Sequence, residues 1–374
     1  MRKTNILLLC FTLFFQLPLT YGKTDNLLIP VSEKQEVIGY KENNFIIPRY
    51  EFKNGQILNN LRIHYITAGT PTKNAQGKIK NAVLFLHWTG ASGNEMFEHF
   101  KKALLGPGKP FDANNYFLIF PDNIGQGQSS KPSDGLRMKF PHYNYKDMVE
   151  LQHRLITEQL KIPHLNMIVG TSMGGMHSWM WSELYPEFMD GIMPIVCLPR
   201  TIDGRNLLWR QMVIDSIKND PSWQNGNYEV PPYGIKAIWP LVAMMVDGVP
   251  HMQHIVTTTK EASNYIHSAL LESTKHDAND VIYVMSASQD YNPEPFLSSI
   301  KTKVFALDFT DDALDSPEFY RMPTLMRQVK HGQWIVQKGT PFSHGHFTLL
   351  YPELWVNQAK RFVEWVNGLE TRNK

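Results

Sequence analysis

Apolar and polar positions alternate along this chain on two length scales, and each predicts a different element. Short β-branched and aromatic runs bounded by turn residues recur at Leu61 to Ala68, Ala82 to His87, Tyr116 to Pro121, Leu165 to Gly170, Gly191 to Leu198, Lys303 to Leu307 and Gln333 to Lys338. Several are continuous enough to read as buried strands. Between them, Tyr145 to Leu160, Met173 to Tyr185 and Pro352 to Leu369 carry apolar residues at three- and four-residue spacing, which predicts helices. Strand and helix in alternation predict an α/β fold: a mostly parallel central sheet with helices on both faces. The stretch 200–292 breaks that rhythm, being rich in Met, Trp, Asn and Pro with helical spacing and no clear strand. It is expected to be a helical lid inserted into a core formed by 23–199 and 293–374. An insertion at the carboxyl edge of such a sheet would shape the substrate pocket, and Trp239, Met244, Met245 and Met252 would either line it or pack the lid down.

The first 22 residues follow a different pattern: Arg2 and Lys3, an apolar run from Ile6 to Leu19, then Thr20-Tyr21-Gly22 with small residues at the positions that define cleavage. That arrangement predicts a signal peptide. The run is short for a membrane span and is interrupted by Gln16 and Pro18, so no span is expected in the mature chain. Export to the periplasm or the medium follows. Cleavage takes two of 37 basic residues and none of the 35 acidic ones, leaving 35 against 35. A balanced charge gives no reason to expect nucleic acid or an anionic membrane surface as partner, and a small molecule is the expected one.

Of two cysteines, Cys10 lies in the signal, behind Leu9 where a lipoprotein signal needs Gly or Ala, and Cys197 closes an apolar run. Cys197 has no partner for a disulfide and reads as core. No His-Glu-x-x-His stretch, cysteine pair or phosphate loop is present, so neither a metal nor another cofactor is expected. Gly125-Gln126-Gly127, between Asn123-Ile124 and Ser129-Ser130-Lys131-Pro132, reads as a turn beyond a strand.

The sharpest chemical signal is Gly170-Thr171-Ser172-Met173-Gly174, a G-x-S-x-G string with a strand before it and a helix after it. A serine on that tight turn is exposed for attack, the glycines relieve crowding, and the helix start favours a developing oxyanion. A serine hydroxyl needs a histidine to take its proton and a carboxylate to orient that histidine. Where this turn occurs, acid and histidine follow the serine in the chain. The acid is sought at the end of the Lys303 to Leu307 run, where Asp312 is chosen over Asp311 and Asp308. The histidine is sought before the last helix, where Gly345-His346 is preferred to His344. His251, His254 and His331 have no such placement. The oxyanion donors are expected to be the N–H groups of Met173 and of Trp88, with Thr89 as the alternative to Trp88.

These motifs resemble the homoserine O-acetyltransferase branch of the α/β-hydrolase superfamily. The likeness covers most of the mature chain and rests on His87-Trp88-Thr89-Gly90 with Gly93, on Asp122 to Pro132, on Asp147-Met148-Val149, on Gly170 to Met176, on Asp312 and on Gly345-His346. The resemblance implies an α/β-hydrolase fold and a triad of Ser172, Asp312 and His346. It departs where it would name a substrate. The family has an acidic residue after the catalytic histidine, to hold the substrate amine, and here stands Phe347. Its carboxylate-gripping arginine appears in register with Trp239, in Gly234-Ile235-Lys236-Ala237-Ile238-Trp239. With each charged hydrogen bond worth about 1.5–3 kcal/mol, homoserine is a poor candidate. The expectation is a serine esterase acting on a small acyl ester through an acyl-enzyme, with an apolar pocket. An acyltransferase using an alcohol other than homoserine is the alternative, and a binding protein on a hydrolase fold is the non-enzymatic one.

Overall fold

The computed structural model describes residues 38–369. The expected signal segment lies outside them. Eight strands form one sheet in the order β1-β2-β4-β3-β5-β6-β7-β8. They are β1 (Tyr40–Glu51), β2 (Ile57–Ala68), β3 (Ala82–Leu86), β4 (Phe117–Pro121), β5 (Leu165–Thr171), β6 (Met189–Ile195), β7 (Lys303–Phe309) and β8 (Gly332–Gln337). β1 pairs antiparallel with β2 and β2 antiparallel with β4, and all other neighbours are parallel.

The buried strands show why the sheet is covered twice. In β3, Leu84 and Leu86 join the same core as Met148 and Met180, while Val83 and Phe85 join the core of Phe97, Trp355 and Phe362. Successive side chains leave a strand on opposite faces, so one apolar run needs helices on both sides. α2 (Tyr145–Arg154) and α3 (Met173–Leu184) supply the first layer. The second is formed by α1 (Gly93–Phe100) and the C-terminal helix Val356–Val366, which buries Ala359 and Phe362 and packs Val356, Val363, Trp365 and Val366 against the same core.

Between β6 and β7 the chain runs through α4 (Gly204–Lys218), α5 (Tyr233–Val246), α6 (Val249–Ile255), α7 (Thr259–Ser273) and α8 (Ala278–Ser286). Further on come α9 (Met322–Met326) and the C-terminal helix, α10. Two details differ from the sequence reading. β6 ends at Ile195, where Val196 turns to φ +51° while its N–H still donates to Leu307 O of β7 at 2.9 Å. β1 was not anticipated. It is an edge strand, with seven of its first nine positions exposed and Pro48 interrupting its pairing. Among the described residues no helix is long and apolar enough to cross a membrane.

Candidate active site

The chain leaves β5 at Thr171, turns at Ser172 and enters α3 at Met173. Ser172 has φ +50° and ψ −113°, a backbone state that costs a non-glycine residue about 1–3 kcal/mol. Its neighbours hold it there. The Ser172 N–H donates to Ile195 O at 2.8 Å, and Ser172 O accepts from the Met176 N–H at 2.9 Å. The flanking glycines are a packing requirement: a Cβ on Gly170 would lie 2.0 Å from Gly174 O, and one on Gly174 would lie 1.9 Å from Leu86 O.

The Ser172 hydroxyl lies 2.8 Å from His346 Nε2, and His346 Nδ1 lies 2.7 Å from Asp312 Oδ2. All three side chains are buried. The other oxygen of Asp312 accepts from the N–H groups of Leu314 (2.8 Å) and Asp315 (3.4 Å), so the carboxylate is fixed from behind. An Nδ1–H donated to that carboxylate leaves Nε2 bare, the state that accepts the serine proton.

The rivals have other partners. Asp308 accepts from the Trp334 indole at 2.8 Å, and burial pushes its carboxyl up to about 8, so it is neutral at pH 7. Asp311 accepts from Ser343 Oγ (2.7 Å) and the Gly345 N–H (3.1 Å), shaping the loop that carries His346. His344 stacks on Tyr351 with ring centroids 3.8 Å apart, and burial, then His251, lower it to about 4.

Behind the serine, the loop after β3 is held by His87. Its Nε2 accepts from the Asn123 N–H at 3.1 Å, so the proton sits on Nδ1 and is donated to Trp88 O at 2.8 Å. Burial lowers the His87 pKa, which keeps the ring neutral. The Gly90 N–H donates to Gln126 Oε1 at 2.6 Å and the Gln126 amide reaches Met173 Sδ at 3.6 Å, tying this loop to the head of α3. Trp88, Thr89, Ser172 and His346 line one small cavity. Met173 is the first residue of α3, where a helix leaves its N–H groups without internal partners.

Two residues that sequence reading passed over line the same cavity: Asn206 and Arg210, beside Trp209, Val246, Leu314 and Phe347. Both are buried, and Arg210 Nε donates to Asn206 Oδ1 at 2.9 Å. The signal was their place on the face of α4 that buries Trp209, Val213 and Ile217, where apolar residues belong. The pocket is therefore polar on one side rather than apolar throughout. Trp239 is outside this lining and packs on His276, centroids 4.6 Å apart. Cys197 is buried and its thiol is pushed well up by that burial, as suits a core residue.

A family model for the α/β hydrolase fold matches residues 81–231. The chain has the α/β-hydrolase fold, and it resembles the homoserine O-acyltransferase branch of that superfamily. It is 26% identical over 280 residues to a probable acyltransferase of Methanothermobacter thermautotrophicus, covering 75% of this chain and 85% of that one. It is 25% identical to a homoserine O-acetyltransferase of Carboxydothermus hydrogenoformans, covering 77% and 86%. Among solved structures it shares its fold with a homoserine O-acetyltransferase from Bacillus anthracis (TM-score 0.74, 22% identity, 87% of this chain and 97% of that one). An acetylester hydrolase from Corynebacterium glutamicum shares it equally (TM-score 0.74, 20% identity, 87% and 96%). The likeness thus spans enzymes that transfer an acyl group to homoserine and enzymes that hydrolyse an acetyl ester.

Proposed function

We propose that this chain of α/β-hydrolase fold is a serine acyl hydrolase. The observation that supports this reading best is the unbroken hydrogen-bonded series from Ser172 Oγ through His346 to Asp312 Oδ2. Ser172 Oγ attacks the ester carbonyl carbon as its proton passes to His346 Nε2. The carbonyl oxygen becomes an anion, for which Met173 and Trp88 supply backbone N–H groups. Collapse breaks the bond to the alcohol oxygen, which leaves with the proton from His346 and an acyl-Ser172 ester behind. Water then attacks that ester, again losing a proton to His346, and the acid departs as Ser172 is restored. Asp312 holds the ring.

Small acyl esters suit the small cavity, and Phe347 supplies no negative charge for a substrate amine, while the buried Arg210 in the lining offers a cation to a substrate carboxylate. Residues 1–22 favour export, and an exported enzyme would meet water and esters rather than acyl-coenzyme A. The second reading, transfer of the acyl group to an alcohol other than homoserine, is favoured by the acyltransferase relatives. Ser172→Ala should abolish hydrolysis of para-nitrophenyl esters and labelling by a fluorophosphonate. Retention of either by the folded variant refutes the serine mechanism. Adding candidate alcohols to the wild type separates the two readings, since only transfer yields a new ester.

A further inference from the structure

Outside the catalytic cavity, a second group of chemistry-bearing side chains lies where the helices after β6 meet the loop of His346. Asp247 caps the end of α5, His251 lies one turn later on α6, and His344 precedes Gly345. One ligand atom from each falls within 4.8 Å of the other two.

His251 Nδ1 is 2.9 and 3.1 Å from the two oxygens of Asp247. Donor atoms around a tetrahedral ion with bonds near 2.0–2.1 Å stand about 3.3 Å apart, so this pair already has nearly the spacing of two ligands. Asp247 is itself oriented, by the Gly248 N–H at 2.8 Å and by the Tyr265 hydroxyl at 3.3 Å. Ligating carboxylates are commonly held by such an outer set. His344 is the telling residue. Its backbone bonds on both sides, N–H to Thr348 Oγ1 at 2.8 Å and C=O from the Phe347 N–H at 2.9 Å. Its ring, among the described residues, has no hydrogen-bond partner, and it faces His251 with centroids 4.0 Å apart. Two half-buried imidazoles, one bonded to the Asp247 carboxylate and the other with a ring nitrogen within 4.8 Å of both, match the donor chemistry and charge that a divalent transition metal takes.

We propose that Asp247, His251 and His344 form a binding site for a divalent transition-metal ion of the zinc type, distinct from the catalytic cavity. The ion would staple two segments that already touch: a Cβ on Gly345 would lie 2.6 Å from Gly248 N, so the α5–α6 turn and the loop of His346 are in backbone contact. Ligands from two places in the sequence, Asp247 with His251 and, 93 residues on, His344, then fix that contact. The site's role is structural, and it is independent of whether Ser172 is a nucleophile.

The test is Co²⁺ and Zn²⁺ titration of the full chain after chelation. The expected result is one equivalent of Co²⁺ with visible d–d bands, displaced by Zn²⁺, and a rise in melting temperature with metal concentration. His251→Ala and His344→Ala should each weaken binding by more than about 100-fold, since even outer partners of a ligand are worth 10–100-fold. The exposed His254, on the same helix, serves as control, and His254→Ala should bind as wild type. If a variant fails to fold, the metal-dependent melting shift of the wild type still decides. No uptake by the wild type at millimolar metal overturns the proposal, and so does uptake unchanged in a folded His251→Ala/His344→Ala double variant.

Discussion

Replacing Asp312 by Asn tests the proposed mechanism at one atom. Oδ1 of Asp312 accepts backbone N–H bonds from Leu314 at 2.8 Å and Asp315 at 3.4 Å, so in the variant that position must be taken by the amide oxygen. The NH2 group then stands where Oδ2 was, 2.7 Å from His346 Nδ1. Two donors cannot face each other, so Nδ1 gives up its proton and Nε2 gains it. The ring now presents N–H to Ser172 Oγ, 2.8 Å away, and can no longer take its proton. A carboxylate-to-amide change that inverts the tautomer in this way costs about 10⁴ in kcat, or about 5.5 kcal/mol. KM should move little, because nothing in the cavity lining changes shape. The assay is steady-state hydrolysis of para-nitrophenyl acetate, with circular dichroism and melting temperature to show that the fold is kept. Asp308→Asn is the control. It replaces a carboxyl that is already neutral at pH 7 and bonded to Trp334, and kcat should stay within about tenfold of wild type. A folded Asp312→Asn protein with kcat within tenfold of wild type would refute the tautomer argument.

Two further outcomes follow from packing and burial. Gly174→Ala places a methyl 1.9 Å from Leu86 O, where both sides are backbone, and should destabilise the fold by about 3 kcal/mol or more or yield insoluble protein. Gly39→Ala, with nothing near, should melt as wild type, and a Gly174→Ala protein of unchanged stability contradicts the close approach of α3 to β3. His177 is fully buried beside Gln152, and burial, then His87, lowers its pKa from 6.5 to about 3. Unfolding lets it bind a proton, so its contribution is complete above about pH 6.5 and is lost as pH falls through the window down to about 3. Melting temperature measured from about pH 7 to about pH 4 should drop less in His177→Gln than in wild type, and parallel curves would show that this ring is not responsible.

The parts of the fold that could be read in advance are those where one physical demand dominates. β3, β4 and β5 are buried on both faces and therefore written as apolar runs, and α10 meets solvent on one side and therefore shows a stripe. β1 satisfies neither demand, having an open edge, an exposed face and Pro48. At the site, Ser172 was legible because the turn constrains its immediate neighbours in sequence. Its two partners were narrowed to one strand end, with Asp308, Asp311 and Asp312, and one loop, with His344 and His346, and Asp312 and His346, the pair chosen there, are the ones that reach Ser172. Which of them meets the serine is decided by how that strand end packs against Trp334 and Leu314. Asn206 and Arg210 were missed for a related reason: helical spacing tells which face of α4 is inward but not that this face borders the cavity of Ser172. Asp247, His251 and His344 are separated by 93 residues between the last two, and only the contact of Gly248 with Gly345 brings them together.

The turn at Ser172 is wound into a conformation that its own residue type resists, and the tension is carried by the main chain rather than by the hydroxyl group. What keeps it wound is the clamp of β5 and β6 on one side and α3 on the other. Any substitution that slackens this clamp lets the turn relax first, long before strands separate. The geometry at Ser172 thus rests on main-chain packing around it, and a variant can keep its fold while its serine swings out of reach.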